Sequence, residues 1–469
     1  MPGEAQPTVV IIGGGFSGAA VAWHLARRTK AHALRIIVVE TRAELGRGLA
    51  YGTPDPDHRL NVPEHKMSLD TADPLHFRRW LSSFDAPFLP AGSATLAGEV
   101  FAPRGVFGLY VARQLQPWLD SGRIVHLRSR ANAAERAGAG YRITLEDGRS
   151  LQADHLVLAV SHPAPGVPGA LRGLVGDPRL IPDAYAEGAL AGIGAGERVL
   201  LIGSGLTGAD VVATLHRQGH AAAVHMLSRH GRRSQPHGPR QAETTADFSR
   251  DPARTARGLL RRVRAELARD AQAGLTWHAV FDRLRAQGPQ IWAALPQPER
   301  KRLVRHLRGL WDIHRFRIAP QTHALLNRQI AGRHVHPVAG RIVGLRPHPL
   351  GVAVTVALRD GGQQEIDTDR IVLATGPAHE RAISGNPVLA ALSVAGELAP
   401  DPLGLGLHAT PEAAAIGADG LARERLLIAG PLARGAVGEL MGLPEVTAWA
   451  EAIARRLSAT VAGQDEAAA

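Results

Sequence analysis

An α/β fold with two parallel sheets, each opened by a glycine-rich strand-to-helix turn, is predicted for this chain by three observations. Gly13, Gly15 and Gly18 stand in G-x-G-x-x-G spacing behind an apolar run. Gly203, Gly205 and Gly208 repeat the spacing behind a second apolar run. Each copy is followed, farther along, by a strand, an Asp-Gly turn and a closing apolar strand. A repeat of such long period is stronger evidence than either motif alone.

In the first copy, Val9 to Ile12 reads as a buried parallel strand, and AAVAWHLARR as the helix behind the turn. Gly13 permits the tight turn, Gly15 lets a pyrophosphate approach the backbone, and Gly18 lets the helix pack on the strand. Phe16 and Ser17 lie between the last two glycines, at a helix N-terminus whose free N–H groups suit phosphate. A second strand, LRIIVVE, ends at Glu40, 22 residues beyond Gly18. An acid there accepts hydrogen bonds from the ribose hydroxyls of an adenosine, and Arg42 follows it closely. The loop LGRGLAYGTPDPDHRLNVPEHKMSLD carries Gly46, Gly48 and Gly52, then Leu60-Asn61-Val62-Pro63. Its glycines mark close-approaching backbone, as in a loop laid along a ligand. Residues 141–160 supply the hairpin, turning at Asp147-Gly148, and the closing strand.

The second copy opens with RVLLI, holds Leu206 and Thr207 between its last two glycines, and continues as a helix from about Ala209 to Gln218. Its next strand, AVHML, is expected to end near Ser228, where Ser228-Arg229-His230-Gly231-Arg232-Arg233 replaces the acid of the first copy. An acid repels a 2′-phosphate, whereas arginine pairs with it. The two strand ends therefore predict two different dinucleotides. A free ribose suits FAD or NAD, and a 2′-phosphate suits NADPH rather than NADH; the economical combination is FAD held in the first fold and NADPH visiting the second. The hairpin at residues 352–375 turns at Asp360-Gly361 and closes this copy.

Between the second basic loop and its hairpin, roughly residues 241–330 read as a helical insert. One helix aligns Leu260, Val263 and Leu267; another carries Leu303, Leu307, Leu310 and Trp311 among arginines, with a solvated basic face. The segment WDIHRFRIAP concentrates His314, Arg315 and Arg317. The tail holds the strand ERLLIAG ending at Gly430 and a helix from about Pro444; the final AGQDEAAA is expected to be disordered.

Composition narrows the function. The formal charge of +11 is almost wholly arginine, with only Lys30, Lys66 and Lys301 as lysines, and no nucleic-acid motif accompanies it. A nucleic-acid role is not expected. Cysteine is absent, which removes disulfides, zinc–thiolate sites and any thiol relay; no metal site is expected. No run of 18 apolar residues indicates a membrane span, and the N-terminus lacks the basic region of a signal peptide, so a cytoplasmic protein is the default.

These residues resemble the flavoproteins with two dinucleotide-binding domains. More narrowly, LGRGLAYGTPDPDHRLNVP, IGSGLTGADV with SRHG, WDIHRFRIAP and IAGPLARGAVGE resemble the bacterial FAD/NAD(P)-binding family near the N-hydroxylating (lysine/ornithine-type) flavin monooxygenases. The resemblance implies two Rossmann-like domains with hairpin crossovers. Residues 1–165 and 376–469 would form the FAD domain, and 196–375, with the insert, the NAD(P)H domain. It implies that Gly13, Gly15, Gly18 and Glu40 hold the ADP part of FAD, and that Asn61, Arg104, Gly48 and Gly430 lie toward the cofactor. Gly203, Gly205, Gly208, Ser228 and Arg229 would hold NADPH. Two departures stand out: the first domain closes with VLAVSHP at Val157–Pro163, and the Baeyer–Villiger fingerprint F-x-G-x-x-x-H is missing.

The activity so implied is that of an FAD-dependent, NADPH-using monooxygenase. It would act through a flavin C4a-hydroperoxide, with molecular oxygen, on a small amine or sulfur nucleophile. Two alternatives share the cofactors: a reductase passing electrons to a quinone, an iron complex or a protein, and a flavin-binding regulatory protein. No residue is assigned as a general acid or base, and the oligomeric state is left open.

Overall fold

The computed structural model describes residues 6–30, 32–84 and 89–468, and side chains up to Val461. From the N-terminus, β1 (Thr8–Ile12) leads through α1 (Phe16–Arg28) to β2 (Arg35–Val39). The chain then runs through α2 (Gly48–Tyr51), α3 (His76–Ser82) and α4 (Arg104–Asp120) to β3 (Ile124–Leu127). A meander of β4 (Ala131–Ala137), β5 (Gly140–Leu145) and β6 (Ser150–Ala153) forms a small antiparallel sheet and returns the chain to β7 (His155–Leu158). β1 lies between β2 and β7, parallel to both, and is buried from Val9 to Ile12. Strands walled on both faces become continuous apolar runs, which is why these strands were readable without alternation.

The second unit contains β8 (Leu180–Ile181), β9 (Val199–Ile202), α5 (Leu206–Arg217) and β10 (Val224–Ser228). Five helices follow: α6 (Ala256–Gln272), α7 (Trp277–Ala286), α8 (Gly288–Ala294), α9 (Gln297–Arg315) and α10 (Pro320–Ala331). β11 (Val335–His348), β12 (Gly351–Leu358), β13 (Gln363–Thr368) and β14 (Arg370–Leu373) then complete a sheet in the order β13-β12-β11-β10-β9-β14-β8. β11 pairs parallel with β10 up to Ala339 and antiparallel with β12 from Gly340, bulging between Ile342 and Gly344. This hairpin grows directly out of the parallel sheet, whereas the first copy's meander stands apart.

After α11 (Pro387–Val394), β15 (Ala414–Ile416) and β16 (Ala422–Ile428) rejoin the first sheet beside β7, giving β15-β16-β7-β1-β2-β3. α12 (Arg434–Val437) and α13 (Glu445–Ala468) end the chain, with α13 packed along α1. The chain leaves the first sheet after β7 and returns to it after β14. Those two crossings meet at a bridge between Pro165 and Pro377. No helix among the described residues is long and apolar enough to cross a membrane.

Two expectations need correction. The second turn's helix begins at Leu206, not Ala209, because Gly205 is its N-cap and Gly208 lies inside its first turn. The closing AGQDEAAA continues α13 as helix to Ala468; Ala469 lies outside the described residues.

Candidate cofactor and active site

The two glycine turns share their key contacts. Gly13 and Gly203 have φ of 101° and 123°, which side-chain-bearing residues rarely adopt. A Cβ on either would collide with the carbonyl oxygen of Ala159 or Ala374, the residue after the closing strand. Gly13 N–H donates to Val39 at 2.9 Å and Gly203 N–H to Leu227 at 2.9 Å, so each turn crosses the top of its sheet identically. A Cβ on Gly18 or Gly208 would strike the carbonyl of Gly13 or Gly203.

Beyond these glycines the copies diverge. In the first, the helix α2 backbone closes over the turn, so a Cβ on Gly15 would stand 3.5 Å from the Gly48 Cα. Glu40 sits against the turn, accepting from Gly14 N–H at 2.9 Å and Arg42 N–H at 3.0 Å. Burial pushes the Glu40 carboxyl up, but those N–H donors and the Arg42 charge outweigh it and hold it below the usual range. A cleft of about 570 Å³ runs on from here. Gly13, Gly15, Phe16, Ser17, Glu40, Arg42 and Gly48 line one end; Ala159 to Pro165, Gly376 and Pro377 line its floor, with Leu432 and Met441 beyond. His162, in that floor, is held at about 4 by burial and by Arg434, so it stays neutral near pH 7.

An adjoining cavity of about 290 Å³ shares Tyr51, Arg104, Tyr185, Thr207 and Met441 with the cleft. Its own walls are Leu60, Asn61, Val62 and Met67 from the first unit, Leu206 from the second, and Arg315 to Arg317 from the end of α9. In the second turn Gly205 faces open space. Ser228 Oγ is buried with no hydrogen-bond partner. Among the described residues no ion pair involves Arg229 or Arg232. Arg359 joins them from the end of β12, its Nη1 donating to His230 Nδ1 at 2.7 Å.

Residues 10–163 match the FAD-NAD(P)-binding family model, and residues 103–246 the L-lysine 6-monooxygenase/L-ornithine 5-monooxygenase model. The chain is an FAD- and NAD(P)-dependent oxidoreductase. Solved structures show the same fold over nearly the whole length. The ornithine hydroxylase of Pseudomonas aeruginosa is 16% identical, with a TM-score of 0.64 over 97% of this chain and 99% of that one. The L-lysine 6-monooxygenase of Pseudomonas syringae is 17% identical (TM-score 0.60; 97% and 98% covered). The ornithine N-hydroxylase of Kutzneria sp. 744 is 15% identical (TM-score 0.60; 98% and 100% covered). No functionally curated protein matches the sequence.

The oxidoreductase's residues fit both dinucleotides. The first turn tolerates no Cβ at Gly13 or Gly18, which hold its tight geometry, and its strand-end acid lines the cleft. The second turn leaves Gly205 open, with an orphaned hydroxyl at Ser228 and uncommitted guanidinium groups nearby, a set that would suit a 2′-phosphate.

Three sequence-selected residues make contacts that their spacing did not announce. Asn61 lines the adjoining cavity rather than the long cleft, and its carbonyl accepts from His237 Nε2 at 2.9 Å. Arg104 lines both spaces, but its guanidinium spans the two units: Nη2 meets Asp210 Oδ2 at 2.8 Å, and Nη1 meets the Tyr185 hydroxyl at 3.2 Å. Tyr185 donates to Asp210 Oδ2 at 2.5 Å. Burial pushes Arg104 down, but Asp210 and Tyr185 more than offset it and hold it above its usual range. Gly430, at φ 86°, packs against Ser17 as a brace for the first turn rather than a cleft-lining residue. Of the trio at the end of α9, Arg315 and Arg317 reach the cavity, whereas His314 stacks on Phe281 and meets Trp277 edge-on. Sequence reasoning missed Tyr185, Asp210, His162 and Met441. Asp210 had a visible signal, being an acid inside an otherwise apolar helix start, GADVVA.

Proposed function

We propose that the oxidoreductase is a cytoplasmic NADPH-dependent flavin monooxygenase that oxygenates a small amine or sulfur nucleophile. In this reading residues 1–165 and 376–469 retain FAD, and residues 196–375 receive NADPH through Gly203, Gly205, Gly208, Ser228 and Arg229. Bound FAD supplies two-electron chemistry and oxygen activation; the chain supplies position, dryness and charge.

The observation that carries the reading is the 290 Å³ cavity. It opens onto the cleft at the junction of both units and is walled largely by apolar side chains: Leu60, Val62, Met67, Phe316 and Leu443. Such walls exclude water, which protects oxygen chemistry from hydrolytic side reactions. Its charged wall residues are Arg104, Arg315 and Arg317, with no carboxylate among the lining side chains. Each of these arginines is ion-paired behind the wall, to Asp210, Glu439 and Asp282 respectively. The lining therefore offers an incoming ammonium no carboxylate partner and holds a protonated amine less well than a neutral one, the form with a lone pair to react. A carboxylate elsewhere on the substrate is tolerated. The ornithine and lysine hydroxylases of the same fold act on amines that carry one.

Oxygen uptake with NADPH and a panel of amino acids, hydroxylation followed by mass, tests this. Expected is NADPH oxidation in air, stimulated by one class of amine and yielding a product one oxygen heavier. NADPH oxidation that proceeds only with an added electron acceptor, with no oxygenated product from any amine or thioether, sinks the reading.

A further inference from the structure

Helices α6, α7, α8 and α9 do not close on one another. The apolar faces read from the sequence, Leu260 and Val263 on α6 and Leu307, Leu310 and Trp311 on α9, remain half-buried around a cavity of about 180 Å³. Engineered apolar cavities of ~150 Å³ take up a benzene, so this one has room for a short alkyl chain. It shares no lining residue with the cofactor cleft or the adjoining cavity. The segment Arg434–Glu439 walls it, while Leu432 and Met441 to Leu443, immediately to either side, line the cofactor cleft.

One feature of that wall is unusual. Arg434 is only 5% exposed, and its Nε and Nη2 have no hydrogen-bond partner. The neighbouring carboxylates are already committed. Asp312 lies 3.4 Å from Arg308, Glu439 lies 3.2 Å from Arg315, and Asp401 accepts from Leu403 and Leu405 N–H. Also near it are His162 and His379, each with an unpartnered ring nitrogen and each neutral. A buried guanidinium without a partner is costly, and an entering anion relieves that cost.

We infer that this cavity is a binding site for a small apolar carboxylate, its alkyl chain among the leucines of α6 and α9 and its head group on Arg434. A planar monoanion matches the guanidinium fork. The residues that line the cavity are distinct from those of the cofactor spaces, although His162 beside Arg434 also faces the cofactor cleft.

Calorimetric titration of the FAD-loaded chain with octanoate, octanol and octylamine tests the assignment. Octanoate is expected to fill one site per chain about ten-fold or more tighter than octanol, with octylamine weakest. Arg434→Met removes the preference for acid over alcohol, and Leu307→Trp, which fills the cavity, abolishes binding of both. A wild-type flavin spectrum certifies that each variant is folded. Octanoate binding no tighter than octanol in the unaltered chain overturns the proposal without recourse to any variant. So does octanoate binding that survives Leu307→Trp.

Discussion

The first glycine turn is covered and the second is bare. Gly15 is faced by Gly48, Glu40 is held by two backbone N–H groups, and Gly430 braces Ser17. Gly205, by contrast, faces nothing, and Ser228 Oγ and Arg229 wait without partners among the described residues. Closely similar backbone geometry would thus serve two regimes of binding. An enclosed cradle slows dissociation and suits a resident cofactor; an open one with uncommitted charge suits a ligand that must exchange at every turnover.

The largest expected break in this contrast is Gly13→Ala. Its Cβ meets the Ala159 carbonyl at a φ of 101°, so the purified protein should be colourless, as read by flavin absorbance per chain. The matching Gly203→Ala should stay yellow yet lose reduction by NADPH. If both variants lose flavin, the division of labour between the turns is wrong.

Next is Asp210→Ala, which leaves Arg104 buried without its partner. Unfolding free energy should fall by about 3–5 kcal/mol. Flavin reduction by NADPH should slow as well, because this pair ties α5 to the first unit. Denaturant titration and stopped-flow reduction check the two effects separately.

Smaller is Arg229→Ala. Loss of one or two charge-assisted hydrogen bonds should raise KM for NADPH roughly 10–100-fold while leaving KM for NADH nearly unchanged. Equal changes for both coenzymes would remove the 2′-phosphate assignment.

The smallest effect is that of Glu40→Gln. Because the folded carboxyl lies below its ordinary value, its contribution is complete above the usual glutamate pKa of about 4.3 and is lost as pH falls through the folded value. The stability difference between wild type and Glu40→Gln should therefore shrink only in acid. A difference that grows on acidification contradicts the assigned hydrogen bonds.

How much of this was readable in advance depends on range. Both glycine turns, their strands and the contrast between Glu40 and Ser228-Arg229 were legible, because a positive φ and a strand end are dictated by neighbours a few residues away. The helix start at Leu206 was placed late because the third glycine looks like a breaker in sequence but is a packing position in space. The α6 face of Leu260, Val263 and Leu267 is legible from its spacing, yet nothing local tells that the face borders a cavity instead of filling it.

By itself the sequence determined the α/β class, the duplicated turn and the chemistry of each strand end, all set by short-range sterics and charge. Only the tertiary structure decided that Arg104 would reach Asp210, that Leu60, Thr207, Arg315 and Met441 would wall one cavity, and that Arg434 would be buried without a partner. Such meetings follow from how sheets and crossings pack at long range, where many partners are sterically possible and burial selects among them.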